Sequence, residues 1–191
     1  MTTQLQAKFI VLIFLLIFAG CNNSSKKTNQ NDVTFDSIVV EKSYHLLENP
    51  ENPNCNLQIN FTYPTKIENK QYLKNIQRIF TEAYFGDAYA TYSPQEASAK
   101  YAESYLANYK ALEKDFISEA EKDSDMPLGA WYSYYEMSSN KITYNQSGLL
   151  CFTVNFGNYT GEAHGSHSYF KHVVNLKTGL VVTEKEIFTD K

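Results

Sequence analysis

The sequence predicts an α+β domain in which an antiparallel sheet carries two main helices packed on one face. Three observations lead there. Leu57, Ile59, Phe61 and Tyr63 alternate with Gln58, Asn60 and Thr62, the period-two signature of a half-buried strand. Leu73, Ile76, Phe80, Ala83 and Tyr84 then recur at intervals of three and four, as on one face of a helix. Beyond Pro127-Leu128-Gly129 the chain returns to β-rich segments separated by turn residues.

The first segment stands apart from that domain. Lys8 precedes Phe9 to Gly20, a stretch without charge that ends in Ala19-Gly20 directly before Cys21. A positive start, a short apolar core and small residues at the cut make a secretory signal, and a cysteine just after the cut offers its thiol for a lipid, as in bacterial lipoproteins. A transmembrane anchor is the competing reading, but spanning a bilayer takes about 20 apolar residues, and the run turns abruptly polar at Asn22. Residues 1–20 are therefore read as a lipoprotein signal peptide and Cys21 as the lipidated, palmitate-bearing residue. Residues 21–34 read as a flexible leash, because Asn22 to Asp32 holds no apolar side chain to offset the entropy of ordering. Residues 35–191 are long enough for one domain with a core. The expected location is the bacterial cell envelope, lipid-anchored and either periplasmic or surface-exposed, with the membrane as a partner through Cys21.

Charge and cysteine usage narrow the function further. With 17 basic and 21 acidic residues the net charge is −4, and no Lys/Arg cluster appears in the domain, which argues against nucleic acid as a partner. If Cys21 carries lipid, Cys55 and Cys151 remain in a compartment that permits disulfides. They form a candidate bridge, or else two small buried thiols.

Within the domain, Phe35 to Leu47 is rich in β-formers, Glu48 to Asn54 with Pro50 and Pro53 reads as a loop, and the Leu57 to Tyr63 strand ends at Pro64. The first helix is expected from about Asn69 to Phe85, stopping at Gly86. A second opens at Ser93-Pro94-Gln95-Glu96, a capping box with proline in the first turn. Ala97, Tyr101, Tyr105, Tyr109, Leu112 and Phe116 stripe that helix. Such a stripe suits a face packing on a sheet, with hydroxyls at the rim, better than a row of sugar-stacking rings. Ala130 to Ser138, Lys141 to Asn145 and Leu149 to Phe156 are expected strands, joined by turns at Ser139-Asn140 and Gln146-Ser147-Gly148. Leu150, Phe152, Val154 and Phe156 share one face of the last, with Cys151, Thr153 and Asn155 on the other. A further hairpin runs from Ser166 to Asn175 and Leu180 to Val182, turned at Lys177-Thr178-Gly179. Thr183-Glu184-Lys185-Glu186 is another capping box, and the chain stops soon after it, which reads as a closing turn or as a truncated end.

Chemistry concentrates between Asn158 and His167. Tyr159, Thr160, Gly161, Glu162, His164 and His167 form a candidate ligand-binding loop. Glu162, His164 and His167 could also offer oxygen and nitrogen ligands to zinc, which gives an alternative function as a metal-assisted hydrolase of envelope polymer. The spacing matches no catalytic zinc motif, and residues three apart on a strand face opposite ways. No nucleophile elbow and no phosphate loop is present. Trp131-Tyr132-Ser133-Tyr134-Tyr135 is a candidate aromatic platform on a strand. The residues themselves thus call for no catalytic set and no cofactor.

Tyr159-Thr160-Gly161-Glu162-Ala163-His164-Gly165, followed by Asn175-Leu176-Lys177-Thr178-Gly179 and Glu186-Ile187-Phe188, resembles the "Y-T-G-G-A-H … N-x-x-T-G-x … L-x-D-L-F" run of the PdaC/RsiV-like extracellular domains. The Leu57 to Pro64 strand and the Ser93 to Phe116 helix fall where that family has them, and Glu162 replaces its second glycine. The resemblance implies a non-catalytic module outside the membrane. One such module looks like the lysozyme-sensing ectodomain of an anti-sigma factor, and another is appended to a peptidoglycan deacetylase. It implies a further helix and strand after Phe188, hence a truncated member. The expected function is a membrane-anchored binding module for a lysozyme-like protein or a cell-wall glycan such as peptidoglycan, with a structural envelope lipoprotein as another alternative.

Overall fold

The computed structural model describes residues 29–122 and 128–188. The signal segment 1–20, Cys21 and most of the leash lie outside the described residues. Six strands form one sheet in the order β1-β2-β3-β4-β5-β6. They are β1 (Val33–His45), β2 (Asn54–Ile67), β3 (Tyr134–Gln146), β4 (Leu149–Thr160), β5 (Ser166–Asn175) and β6 (Leu180–Val181). The helices are α1 (Leu73–Phe85), α2 (Pro94–Lys110), α3 (Glu113–Ala120) and the single turns α4 (Leu128–Trp131) and α5 (Glu184–Ile187). None of the described helices is long and apolar enough to cross a membrane.

The α+β architecture is as the sequence predicts, and the alternation in β2 sets its core. Leu57, Ile59 and Phe61 are at most 1% exposed and face α1 and α2, while Gln58, Asn60 and Thr62 face the other way. Burying side chains of that size stabilises by about 1.5–3 kcal/mol each. Phe80 of α1 stacks on Phe152 of β4 with centroids 3.9 Å apart, and Phe61 meets Tyr84 at 4.7 Å and Phe85 at 5.0 Å. The tyrosine stripe of α2 packs on the sheet: Tyr109 is 2% exposed, and its hydroxyl donates to the Tyr132 carbonyl at 2.5 Å. The start of α2 is the expected capping box, and α1 ends at Gly86 with φ +92°.

Four expectations are corrected. The sheet is antiparallel at every pairing except one: β2 and β3 run parallel, from Cys55 beside Tyr134 to Asn60 beside Ser139. A helical crossover separates these two strands in the chain, and such a connection is what a parallel pair requires. Ser139-Asn140 is no turn, because β3 passes through it unbroken. Asn140 is buried there, its amide accepting from Thr62 N–H at 2.7 Å and donating to Thr62 C=O at 2.7 Å. That side chain supplies a ladder pair just past the last backbone pairing of β2 with β3. Trp131 to Tyr135 is no single strand: Trp131 ends α4, Tyr132 packs on Phe116, and only Tyr134 and Tyr135 enter β3. The bridge between Cys55 and Cys151 is ruled out. Cys55 lies beside Tyr134, and Cys151 lies beside Tyr144, toward the other end of β3. Those positions are roughly 30 Å apart at about 3.3 Å per residue, whereas a disulfide needs Cα atoms within about 7 Å. Both thiols are free, and burial raises each above the usual range, Cys55 to about 11.

Candidate functional site

Helices cover one face of the sheet and leave the other open, and the Tyr159 to His167 region lies where that open face meets one end of β4 and β5. Tyr159 is on β4, stacked on Tyr135 of β3 at 6.0 Å, and its hydroxyl donates to the Ala130 carbonyl at 3.4 Å. Thr160 ends β4, and residues 161–165 form the connection to β5. Gly161 has φ +82°, and a Cβ there would lie 2.0 Å from the Trp131 carbonyl oxygen, so only glycine fits against α4. Glu162 is absent from the residues with positive φ. The backbone at that position therefore has no need of the family's glycine.

Glu162, His164 and His167 are all exposed, and none of the three has a side-chain hydrogen bond among the described residues. The structure does not gather them. His167 belongs to β5, with its ring lying over Gly157 of β4, where a Cβ would approach Nδ1 to 2.7 Å. Among the described residues no group of three or more His, Cys, Asp or Glu side chains could hold a metal ion, so the geometry lends nothing to the metal-assisted alternative. His172, the third histidine of the region, points the other way. It stacks on Phe152 at 4.9 Å, its Nε2 is buried without a partner, and burial lowers its pKa.

The open face also carries a feature that sequence reasoning missed. A shallow groove of about 390 Å³ crosses β1 to β5, lined by Val39, Gln58, Asn60, Met137, Asn155 and Tyr169 among others, with Gly157 and His167 at its loop end. The alternation in β2 marked Gln58 and Asn60 as outward-facing. Nothing local showed that Asn155, 95 positions after Asn60, shares the row of Asn60 through Ser139.

Comparison with known proteins follows from this fold. A member of the DUF3298 family from Bacteroides fragilis is 30% identical, with a TM-score of 0.78, over 85% of this chain and 63% of that one. The chain thus spans less than two-thirds of that protein's length. A DUF3298 family protein from Pseudomonas aeruginosa is 14% identical with a TM-score of 0.50, over 83% of this chain and 58% of that one, a likeness of fold alone. No curated protein sequence matches the chain. Residues 48–167 match the family described as Deacetylase PdaC, a span that holds β2 to β4, all the large helices and the whole candidate loop, and the chain belongs to that family.

Proposed function

We propose that this chain is a non-catalytic binding module of the bacterial cell envelope, tethered through lipid on Cys21, whose Tyr159 to His167 loop recognises a lysozyme-like protein or a cell-wall glycan. The observation that carries this reading is the polarity of the domain along β4. At one end, the first described residues are fastened to the β3–β4 turn: Ser147 N–H donates to the Asn29 carbonyl at 2.7 Å. Gly148 N–H donates to the Asn31 side chain at 2.7 Å, and that same side chain donates to Asn145 and to the Leu149 carbonyl. The loop lies at the other end of the 12-residue strand, roughly 36 Å away at about 3.3 Å per residue. A leash that enters at the first end leaves the second free to meet a ligand away from the membrane. The exposed carboxylate and imidazole of the loop, on a backbone fixed by Gly161, are open to a partner approaching from solvent.

In a bacterial host the full chain should fractionate with membranes and a Cys21→Ser chain should not. The membrane-held chain should retain lysozyme or peptidoglycan in a pull-down. A double change, Glu162→Ala with His164→Ala, touches only exposed side chains and should cut retention by roughly tenfold, as expected for a recognition residue. A folded wild-type chain that retains neither ligand removes the reading.

A further inference from the structure

The sheet has two free edges, and they differ. β6 is two residues long, and a short edge of that kind resists further pairing. β1 runs for 13 residues without proline, and among the described residues nothing pairs with its outer side. Its outward N–H and C=O groups therefore have no strand to meet them. Beside that edge lies a groove of about 610 Å³, floored by Ile38 to Lys42 and walled by α2, whose Ser98, Ala99 and Ala102 present only small side chains there. Asp36, Ile38, Val40 and Lys42 lie opposite Tyr63, Phe61, Ile59 and Leu57 of β2 and so share the helix-covered face of those buried residues. An acid, two aliphatic side chains and a base thus succeed one another along this face of the edge. Val39, between the two aliphatics, faces the other way and is 65% exposed.

That order is its own complement. When two copies of β1 run antiparallel with Val39 opposite Val39, Asp36 of each copy stands opposite Lys42 of the other, and Ile38 stands opposite Val40. Centring the pair on Ile38 instead sets Asp36 against Val40, and centring it on Val40 sets Lys42 against Ile38. Only the Val39 centre matches charge with charge and apolar with apolar. The two-fold axis of such a pair is normal to the sheet, so both copies keep their helices on the same side.

We infer that the outer edge of β1 binds a second copy of this chain, joining the two sheets into one, with Asp36 and Lys42 paired across both ends of the contact. Pairing covers Val39 and meets the outward backbone groups of β1, and the small residues of α2 let the second copy's α2 approach. It leaves the Tyr159 to His167 loop open in both copies, because that loop joins β4 to β5. A pair carries one leash at each end of the joined sheet and is therefore held along the membrane, with a loop at each rim. The inference goes beyond the binding-module reading and does not depend on it.

Cysteine cross-linking of the full chain in its bacterial host tests it. After mild oxidation, a Val39→Cys chain should run on a non-reducing gel at double the single-chain mass and return to the single mass on reduction, while the wild-type chain stays single. Ser37→Cys and Glu41→Cys each stand four positions from their own copy in the pair, roughly 13 Å at about 3.3 Å per residue. Each alone should therefore cross-link at least about fivefold less, since a disulfide needs Cα atoms within about 7 Å. In the Val39→Cys chain, Asp36→Lys sets like charges opposite one another and should cut the double-mass fraction at least about fivefold. Adding Lys42→Asp restores the charge match and should restore the fraction. Val39, Asp36 and Lys42 are all exposed, so these changes leave the core intact. No double-mass product, equal cross-linking at 37, 39 and 41, a product of another mass, or a charge swap that fails to rescue overturns the inference. If Val39→Cys gives no pair while lysozyme or peptidoglycan is still retained, the pairing falls and the binding module stands. Pairing without retention of either ligand leaves the pairing standing and removes the binding module.

Discussion

Asn140 shows how one side chain can hold a sheet together. Where the backbone pairing of β2 with β3 ends at Asn60 beside Ser139, its amide takes over both hydrogen bonds of Thr62, at 2.7 Å each, in a site only 8% exposed. Replacing it by alanine leaves a buried N–H and a C=O unpaired, and each unmet group costs about 1–3 kcal/mol. Asn140→Ala should therefore lose roughly 2–4 kcal/mol in a denaturant titration, and Asn140→Asp should recover little because a carboxylate cannot donate to the Thr62 carbonyl. A loss below about 1 kcal/mol would mean that water replaces the amide without difficulty. Gly161 is a second residue of this kind: its φ of +82° and its contact with the Trp131 carbonyl fix the loop against α4, which is why the sequence could vary at Glu162 and not there.

At the level of elements, what could be read in advance follows from how local each signal is. The start of α2 is legible because all its parts lie within four residues: the Ser93 hydroxyl accepts from Glu96 N–H at 3.3 Å, and Ser93 N–H donates to the Glu96 carboxylate at 3.1 Å. The Ser93 hydroxyl, which donates to that carboxylate at 2.8 Å, and after it the Ser93 N–H hold the Glu96 carboxyl below its ordinary range. Ser93→Ala should destabilise by about 1 kcal/mol and Ser93→Asp should be nearly neutral, as chemical unfolding followed by circular dichroism would record; equal losses for both would mean the cap contributes nothing. The β2 and β4 faces were equally legible, since period-two burial is written in consecutive residues. The course of β3 was not. Asn140 has turn chemistry in isolation, and the partner that makes it a strand residue lies 78 positions away. The parallel pairing of β2 with β3 likewise depends on how the intervening helices pack. The separation of Cys55 from Cys151 depends on two strand registers together. The loop residues of the candidate site were found because they are contiguous, and the groove was missed because five strands each contribute one or two side chains to it.

At the scale of the whole molecule, buried Glu136 and half-buried His172, both on the helix-covered face, set opposing pH responses. Glu136 is 6% exposed, and its carboxylate accepts from the Tyr101 hydroxyl at 2.6 Å, but burial outweighs that bond and raises its pKa above the ordinary 4.5. The folded state then holds the proton longer than the unfolded chain, so this group's contribution to stability is complete below pH 4.5 and declines as pH rises through the folded value. His172 acts in reverse. Burial lowers it below 6.5, so its contribution is complete above pH 6.5 and declines as pH falls toward the folded value. The Glu136 slope therefore begins just above pH 4.5 and the His172 slope just below pH 6.5, and the two have opposite signs. Glu136→Gln keeps an acceptor for Tyr101 and removes the first slope, so just above pH 4.5 its melting temperature should fall less with rising pH than that of the wild type. His172→Phe keeps the stacking on Phe152 and removes the partnerless Nε2, so just below pH 6.5 its melting temperature should rise less with rising pH than that of the wild type. Thermal melts of the three chains in matched buffers decide it. Parallel curves for all three would show that neither group titrates differently in the folded and unfolded states, and that the helix-covered face is less dry than its packing indicates.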